Sequence, residues 1–201
     1  MIFIVDYGMG NLRSVSKALE HLGAQVKVGN QVSDLENADK IILPGVGAFG
    51  DAVDELKTRG LFDAVKNSLS SGKKFLGICL GMQLLMESSQ ESEGSEGLGR
   101  FRGSVDLFRS KEVKVPHMGW NQVKHKNSHP LLQNVPDQSF FYFVHSYYVN
   151  VKDESIVIGS CNYGDEDFAA IIGNENIFAT QFHPEKSQEM GLQILKNFIE
   201  W

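Results

Sequence analysis

A chain of 201 residues, 42% hydrophobic and 22% charged, has the make-up of a globular protein built on one well-buried core, not of a disordered or fibrous one. Its 19 basic and 25 acidic side chains leave a formal charge of −6, which argues against a nucleic-acid backbone as main partner, because such binding needs clustered lysine and arginine. The two cysteines stand outside any metal-like Cys-x-x-Cys or Cys-His cluster, the first residues lack the regions of a signal peptide, and no apolar run approaches membrane-spanning length, so the expected setting is the reducing cytoplasm.

Ile2 to Val5 reads as a first strand, and Leu12, Val15, Ala18, Leu19 and Leu22 recur at helical spacing up to Gly23. Gln25 to Val28 and Lys40 to Leu43 give a second and third strand. Ala52, Val53, Leu56, Leu61, Phe62, Val65 and Leu69 mark helical material around Gly60, and Lys74 to Ile78 makes a fourth strand. Leu80 to Met86 reads as a helix that ends in Glu87 to Gly97, a polar, acidic stretch expected to be a solvated, mobile loop and assigned no role. This alternation implies a parallel sheet covered by helices, with functional groups at the carboxyl ends of its strands.

The second half differs. Val105–Phe108, Trp120–Lys124, Ser139–Val144, Tyr147–Val151, Ile156–Cys161, Ala169–Ile172 and Ile177–Gln181 are strand-like, and Leu192, Leu195, Lys196 and Ile199 suggest a closing helix. No internal repeat or linker interrupts the chain, so one domain over residues 1–201 is expected.

Cys79 lies in Gly77-Ile78-Cys79-Leu80-Gly81-Met82-Gln83, between a strand-like and a helix-like run. A thiol at such an elbow projects from the sheet edge, and the start of the following helix favours its thiolate. Gln181-Phe182-His183-Pro184-Glu185, also at a strand end, offers a base in His183 and a carboxylate in Glu185 to orient it. Taken singly, a cysteine is more often a small buried hydrophobe and a histidine a satisfied polar residue. The glycines of Leu43-Pro44-Gly45-Val46-Gly47-Ala48-Phe49-Gly50 let backbone N–H groups approach a ligand, although a plain tight turn fits as well. Val144-His145-Ser146-Tyr147-Tyr148 concentrates polar groups after an aromatic strand, and Pro116-His117-Met118-Gly119-Trp120-Asn121 sets an indole beside a glycine, as at an interface or lid.

These segments together resemble the class I glutamine amidotransferases, and among them the glutaminase subunits of imidazole glycerol phosphate synthase, over essentially the whole chain. The resemblance implies an α/β three-layer fold with a central mostly parallel sheet, helices on both faces and additional antiparallel strands in the second half. It implies Cys79, His183 and Glu185 as catalytic triad, an oxyanion hole from Val46, Gly47 and Leu80, and contacts to L-glutamine from Gly47, Gln83, Ser146 and Tyr147. It implies no cofactor and no metal. The implied partner is the cyclase subunit HisF, a (β/α)8 barrel, in a heterodimer that feeds ammonia to histidine biosynthesis, with Asn11, Met118, Trp120 and Lys186 at the docking face. A paralogous subunit supplying ammonia for sugar amidation in surface polysaccharide synthesis, a non-catalytic scaffold, and a hydrolase of other small amides remain open.

Overall fold

The computed structural model describes residues 1–201. Strands β1 (Ile2–Val5), β3 (Lys40–Gly45), β4 (Lys74–Cys79) and β12 (Ile177–Thr180) are short apolar runs buried almost throughout, as strands covered on both faces must be. With β2 (Val26–Gly29), β7 (His117–His125), β8 (Ser139–His145), β10 (Val157–Tyr163) and β11 (Glu166–Gly173) they form a nine-stranded sheet in the order β2-β1-β3-β4-β12-β11-β10-β7-β8. Pairing is parallel from β2 to β12 and antiparallel from β12 to β8.

Alternation along β1 divides the interior in two. Phe3 and Val5 join a core that takes in Leu35 of α2 (Val32–Asn37), Val53 and Leu56 of α3 (Phe49–Thr58) and Val65 of α4 (Phe62–Ser68). Ile2 and Ile4 join the other, with Val15 and Leu19 of α1 (Leu12–His21) and Ile194, Leu195 and Phe198 of α6 (Gln188–Glu200). Helices therefore cover both faces, the three layers expected. A smaller sheet of β5 (Ser88–Ser89), β6 (Gly103–Leu107) and β9 (Tyr147–Val151) lies beside them. No helix is long and apolar enough to cross a membrane.

Two expectations need correction, and one helix has no counterpart among them. The helix expected over 80–86 is only α5 (Leu80–Gln83). The backbone then tightens, Leu85 N–H bonding to Met82 and Met86 N–H to Gln83, and the freed carbonyls of Leu84, Leu85 and Met86 accept from Leu98, Arg100 and Gly99. Residues 84–86 are apolar because the 97–101 segment wraps them, not because they are helical. The 87–97 stretch is a docked segment instead of a mobile loop: Ser88–Ser89 joins β6, and Glu87 Oε2 accepts from Gly103 N–H at 2.9 Å. Lastly, α2 went unpredicted between the second and third strands, since Leu35 is its one buried residue and leaves little periodicity to read.

Candidate active site

The site is set by where β12 enters the sheet. It runs parallel beside β4, Thr180 opposite Ile78, so residues about one hundred positions apart leave the same sheet edge side by side. Cys79 ends β4 and immediately precedes α5, at φ 54° and ψ −108°. A non-glycine residue held there costs about 1–3 kcal/mol, which the surrounding packing must impose. Glycine is what allows the elbow to close: a Cβ on Gly81 would collide with the carbonyl oxygen of Leu43, and one on Gly77 would lie 2.9 Å from the Gly81 carbonyl oxygen.

Past β12, the chain folds back over the free edge of β8. His183 N–H donates to the Tyr142 carbonyl at 3.0 Å, while Ser187 Oγ accepts from Tyr142 N–H at 2.9 Å and donates to the His183 carbonyl at 2.6 Å. These bonds hold the turn Pro184–Lys186 in place. His183 Nδ1 donates to Glu185 Oε1 at 2.9 Å, with the two side chains 2% and 1% exposed. That bond leaves Nε2, which is buried and has no hydrogen-bond partner, as the nitrogen able to exchange a proton. Burial pulls the imidazole pKa down, but Cys79 and Glu185 outweigh it and raise it to about 10. The structure thus brings all three expected catalytic residues together, a thiol, an imidazole and an orienting carboxylate.

A cleft of about 380 Å³ opens over Cys79, and Val46, Gly47, Leu80, Gln83, Ser146 and Tyr147 all line it. Every residue expected at the oxyanion hole or around glutamine therefore borders one cavity. Leu80 opens α5 directly after the thiol, and Gly47, at φ 104°, adopts a conformation that favours glycine. A larger groove of about 530 Å³ lies between β9 and the β10–β11 pair, but its walls carry neither thiol nor imidazole.

Four residues to which the sequence assigned no role also belong here. Glu91 of the docked acidic segment lines the cleft, and its Oε2 accepts from Phe49 N–H at 2.8 Å. Gln181, fully buried, lies with Nε2 3.6 Å from Cys79 Sγ. The Tyr7 hydroxyl is buried without a partner, in the space a Cβ on Gly45 would need, and burial with the nearby Cys79 charge raises its pKa. His145 lines the cleft and meets His117 Nδ1 through its Nε2 at 3.0 Å. Burial lowers both pKa values, to about 4 for His117 and about 3 for His145, so both rings are neutral. Of the four, His145 and Gln181 stand inside segments the sequence marks as polar or catalytic, Glu91 is one acid among several in the 87–97 stretch, and Tyr7 carries no signal.

The residues expected at a docking face are more spread. Met118 and Trp120, 63% and 45% exposed, share the outer face of the β7–β8 hairpin with Phe140, 54% exposed. Lys186 Nζ lies 6.0 Å from the ring centroid of Tyr142 on that face. Asn11 instead caps α1, its Oδ1 accepting from Ser14 N–H at 3.4 Å, and α1 packs against the turn carrying Lys186.

The family model for glutamine amidotransferase class-I matches residues 3–201. An imidazole glycerol phosphate synthase subunit HisH 1 from Pseudomonas aeruginosa is 47% identical, the match covering 100% of this chain and 96% of that protein. HisH subunits of the same synthase from Methanosarcina mazei and Chlorobaculum tepidum are 50% and 46% identical, with coverage of 99% and 98%, and of 100% and 100%. Among solved structures, PurLQS from Thermotoga maritima superposes with a TM-score of 0.77 at 20% identity over 99% of this chain and 97% of that one. A glutamine amidotransferase gives 0.76 at 19% identity over 100% and 98%. The structural likeness shows the same fold, while the sequence matches reach further: the chain belongs to the class I glutamine amidotransferases and, within them, to the HisH family of imidazole glycerol phosphate synthase subunits.

Proposed function

We propose that this chain is the glutaminase subunit of imidazole glycerol phosphate synthase and that residues 1–201 act as one glutaminase domain in the cytoplasm. The observation that carries the chemistry is the placement of β12 beside β4, which sets a buried His183–Glu185 pair against a strained Cys79 on the floor of a cleft. Cys79, as thiolate, attacks the side-chain amide carbon of L-glutamine. The carbonyl electrons move to oxygen, which receives the N–H of Leu80 and an amide of the Val46–Gly47 turn. On collapse the C–N bond breaks, and His183 gives its proton to the departing ammonia. His183 then takes a proton from water, whose oxygen attacks the thioester, releasing glutamate and restoring the thiol. Glu185 keeps the imidazole turned toward the sulfur throughout.

Gly47, Gln83, Ser146 and Tyr147 hold the substrate, and the Glu91 carboxylate in the same cleft suits its α-ammonium group. The reaction uses side chains and water, without cofactor or metal. Ammonia passes to the partner, the (β/α)8-barrel cyclase HisF, which converts the ribulosyl intermediate PRFAR to imidazole glycerol phosphate and AICAR. Asn11, Met118, Trp120 and Lys186 face that partner. In the assembled complex with PRFAR bound, Cys79→Ala should abolish glutamate release at unchanged assembly; activity equal to wild type would sink the mechanism.

A further inference from the structure

One atom that can only accept hydrogen bonds fixes the orientation of several others. The carbonyl oxygen of Tyr147 is reached by His145 Nδ1 at 2.8 Å and by Gln83 Nε2 at 3.0 Å. The first contact makes Nδ1 the protonated nitrogen of His145, so Nε2 must accept, from His117 Nδ1 at 3.0 Å. His117 Nε2 in turn accepts from Asn121 Nδ2 at 3.3 Å. The second contact turns the Gln83 amide nitrogen toward the carbonyl. That nitrogen also lies 3.2 Å from the Gln181 side chain, which must therefore present its oxygen. The amide nitrogen of Gln181 is then left facing Cys79 Sγ, at 3.6 Å.

Each polar atom along this path has one consistent role. Gln83 and Gln181 are 5% and 0% exposed, so water does not compete for these bonds. An N–H donor is far better matched by a thiolate than by a neutral thiol, because charge-assisted hydrogen bonds are roughly twice as strong as neutral ones.

We infer that Gln181 is a further catalytic residue, stabilising the Cys79 thiolate by N–H donation, and that Gln83 is a positioning residue that orients its amide. The inference rests on Cys79 being the nucleophile. It assigns Gln83 a second task besides lining the glutamine cleft: its nitrogen is committed to the interior, which leaves its oxygen for the ligand.

Alkylation of Cys79 by iodoacetamide tests this without glutamine or partner, so its failure is distinct from failure of the glutaminase reading. In the full chain at pH 7, followed by mass spectrometry with buried Cys161 as internal control, Gln181→Met should slow Cys79 alkylation about tenfold, as the loss of one hydrogen bond to a charged group would. Gln181→Asn, which keeps a polar side chain but withdraws the amide, should lose a similar factor. Gln83→Leu leaves Gln181 in place but without its orienting donor, and should slow the reaction about threefold. Wild-type rates in a folded Gln181→Met or Gln181→Asn variant would overturn the catalytic assignment. An unchanged rate in Gln83→Leu would overturn the positioning one.

Discussion

The buried histidines give the molecule opposite responses to acid and to base. His117 is stacked on Phe143 and Tyr163 at ring separations of 4.8 and 3.9 Å, and with His145 it stays neutral far below the ordinary imidazole range because burial penalises the charged ring. Unfolded, both rings take a proton near pH 6.5. Between that pH and about 4 the unfolded chain therefore binds more protons than the folded one, and stability falls as the pH drops through this window. The slope is at most about 1.4 kcal/mol per pH unit for each ring. His117→Phe should keep the stacking and remove one titration, so urea melts between pH 7 and 4.5 should show a shallower acid loss; an unchanged slope would mean that His117 does not contribute. His183 has the opposite sign. Its pKa is raised to about 10, so its contribution is complete below pH 6.5 and disappears as the pH climbs toward 10.

At the scale of elements, α3 is capped by residues that lie far from it in sequence. Its N-cap residue, Ala48, offers no side-chain acceptor. Phe49 N–H and Gly50 N–H instead donate to Glu91 Oε2 and Ser92 Oγ, at 2.8 and 2.9 Å. Ser92→Ala should cost about 1 kcal/mol, as lost helix caps do, measured by urea denaturation. Glu91→Ala should lose a similar amount and also raise the KM for glutamine, a second effect that Ser92→Ala should lack. This capping shows why some of the structure was legible in the sequence and some was not. Buried parallel strands announce themselves as apolar runs, so β1, β3 and β4 could be placed within a residue or two, and Cys79, His183 and Glu185 could be named from local motifs. Backbone N–H groups seeking a distant carboxylate leave no periodic mark, so the 87–97 segment looked like solvated loop. Gln181 stands in view at the head of the His183–Glu185 motif, but its role is not legible there, because only the insertion of β12 beside β4 turns it toward the sulfur.

Across the whole molecule, the β7–β8 hairpin ends the large sheet and works on both of its faces. Inward, His117 and His145 sit opposite each other and back the cleft, while outward Met118, Trp120 and Phe140 stand exposed beside Tyr142 and Val144. Large apolar side chains clustered on one exposed strand pair mark a docking surface more often than free surface. The relatives' identity as synthase subunits gives that face an occupant in the proposed complex. Energy at such faces concentrates in a few aromatic anchors, whereas a rim charge mainly tunes the approach of the partner. Trp120, 45% exposed in the free chain, is the aromatic of the Pro116–Asn121 segment, and Lys186 lies at the border of the face over Tyr142. Trp120→Ala should therefore weaken binding to the proposed cyclase partner by about 2 kcal/mol, roughly thirtyfold in Kd, while Lys186→Ala should cost less than about fivefold. Calorimetric titration of the two purified subunits separates the cases. If Lys186→Ala costs more than Trp120→Ala, recognition is electrostatic and the hairpin face is not its centre; if Trp120 dominates, the strand that grips the partner is the same one whose inner face supports the glutamine cleft.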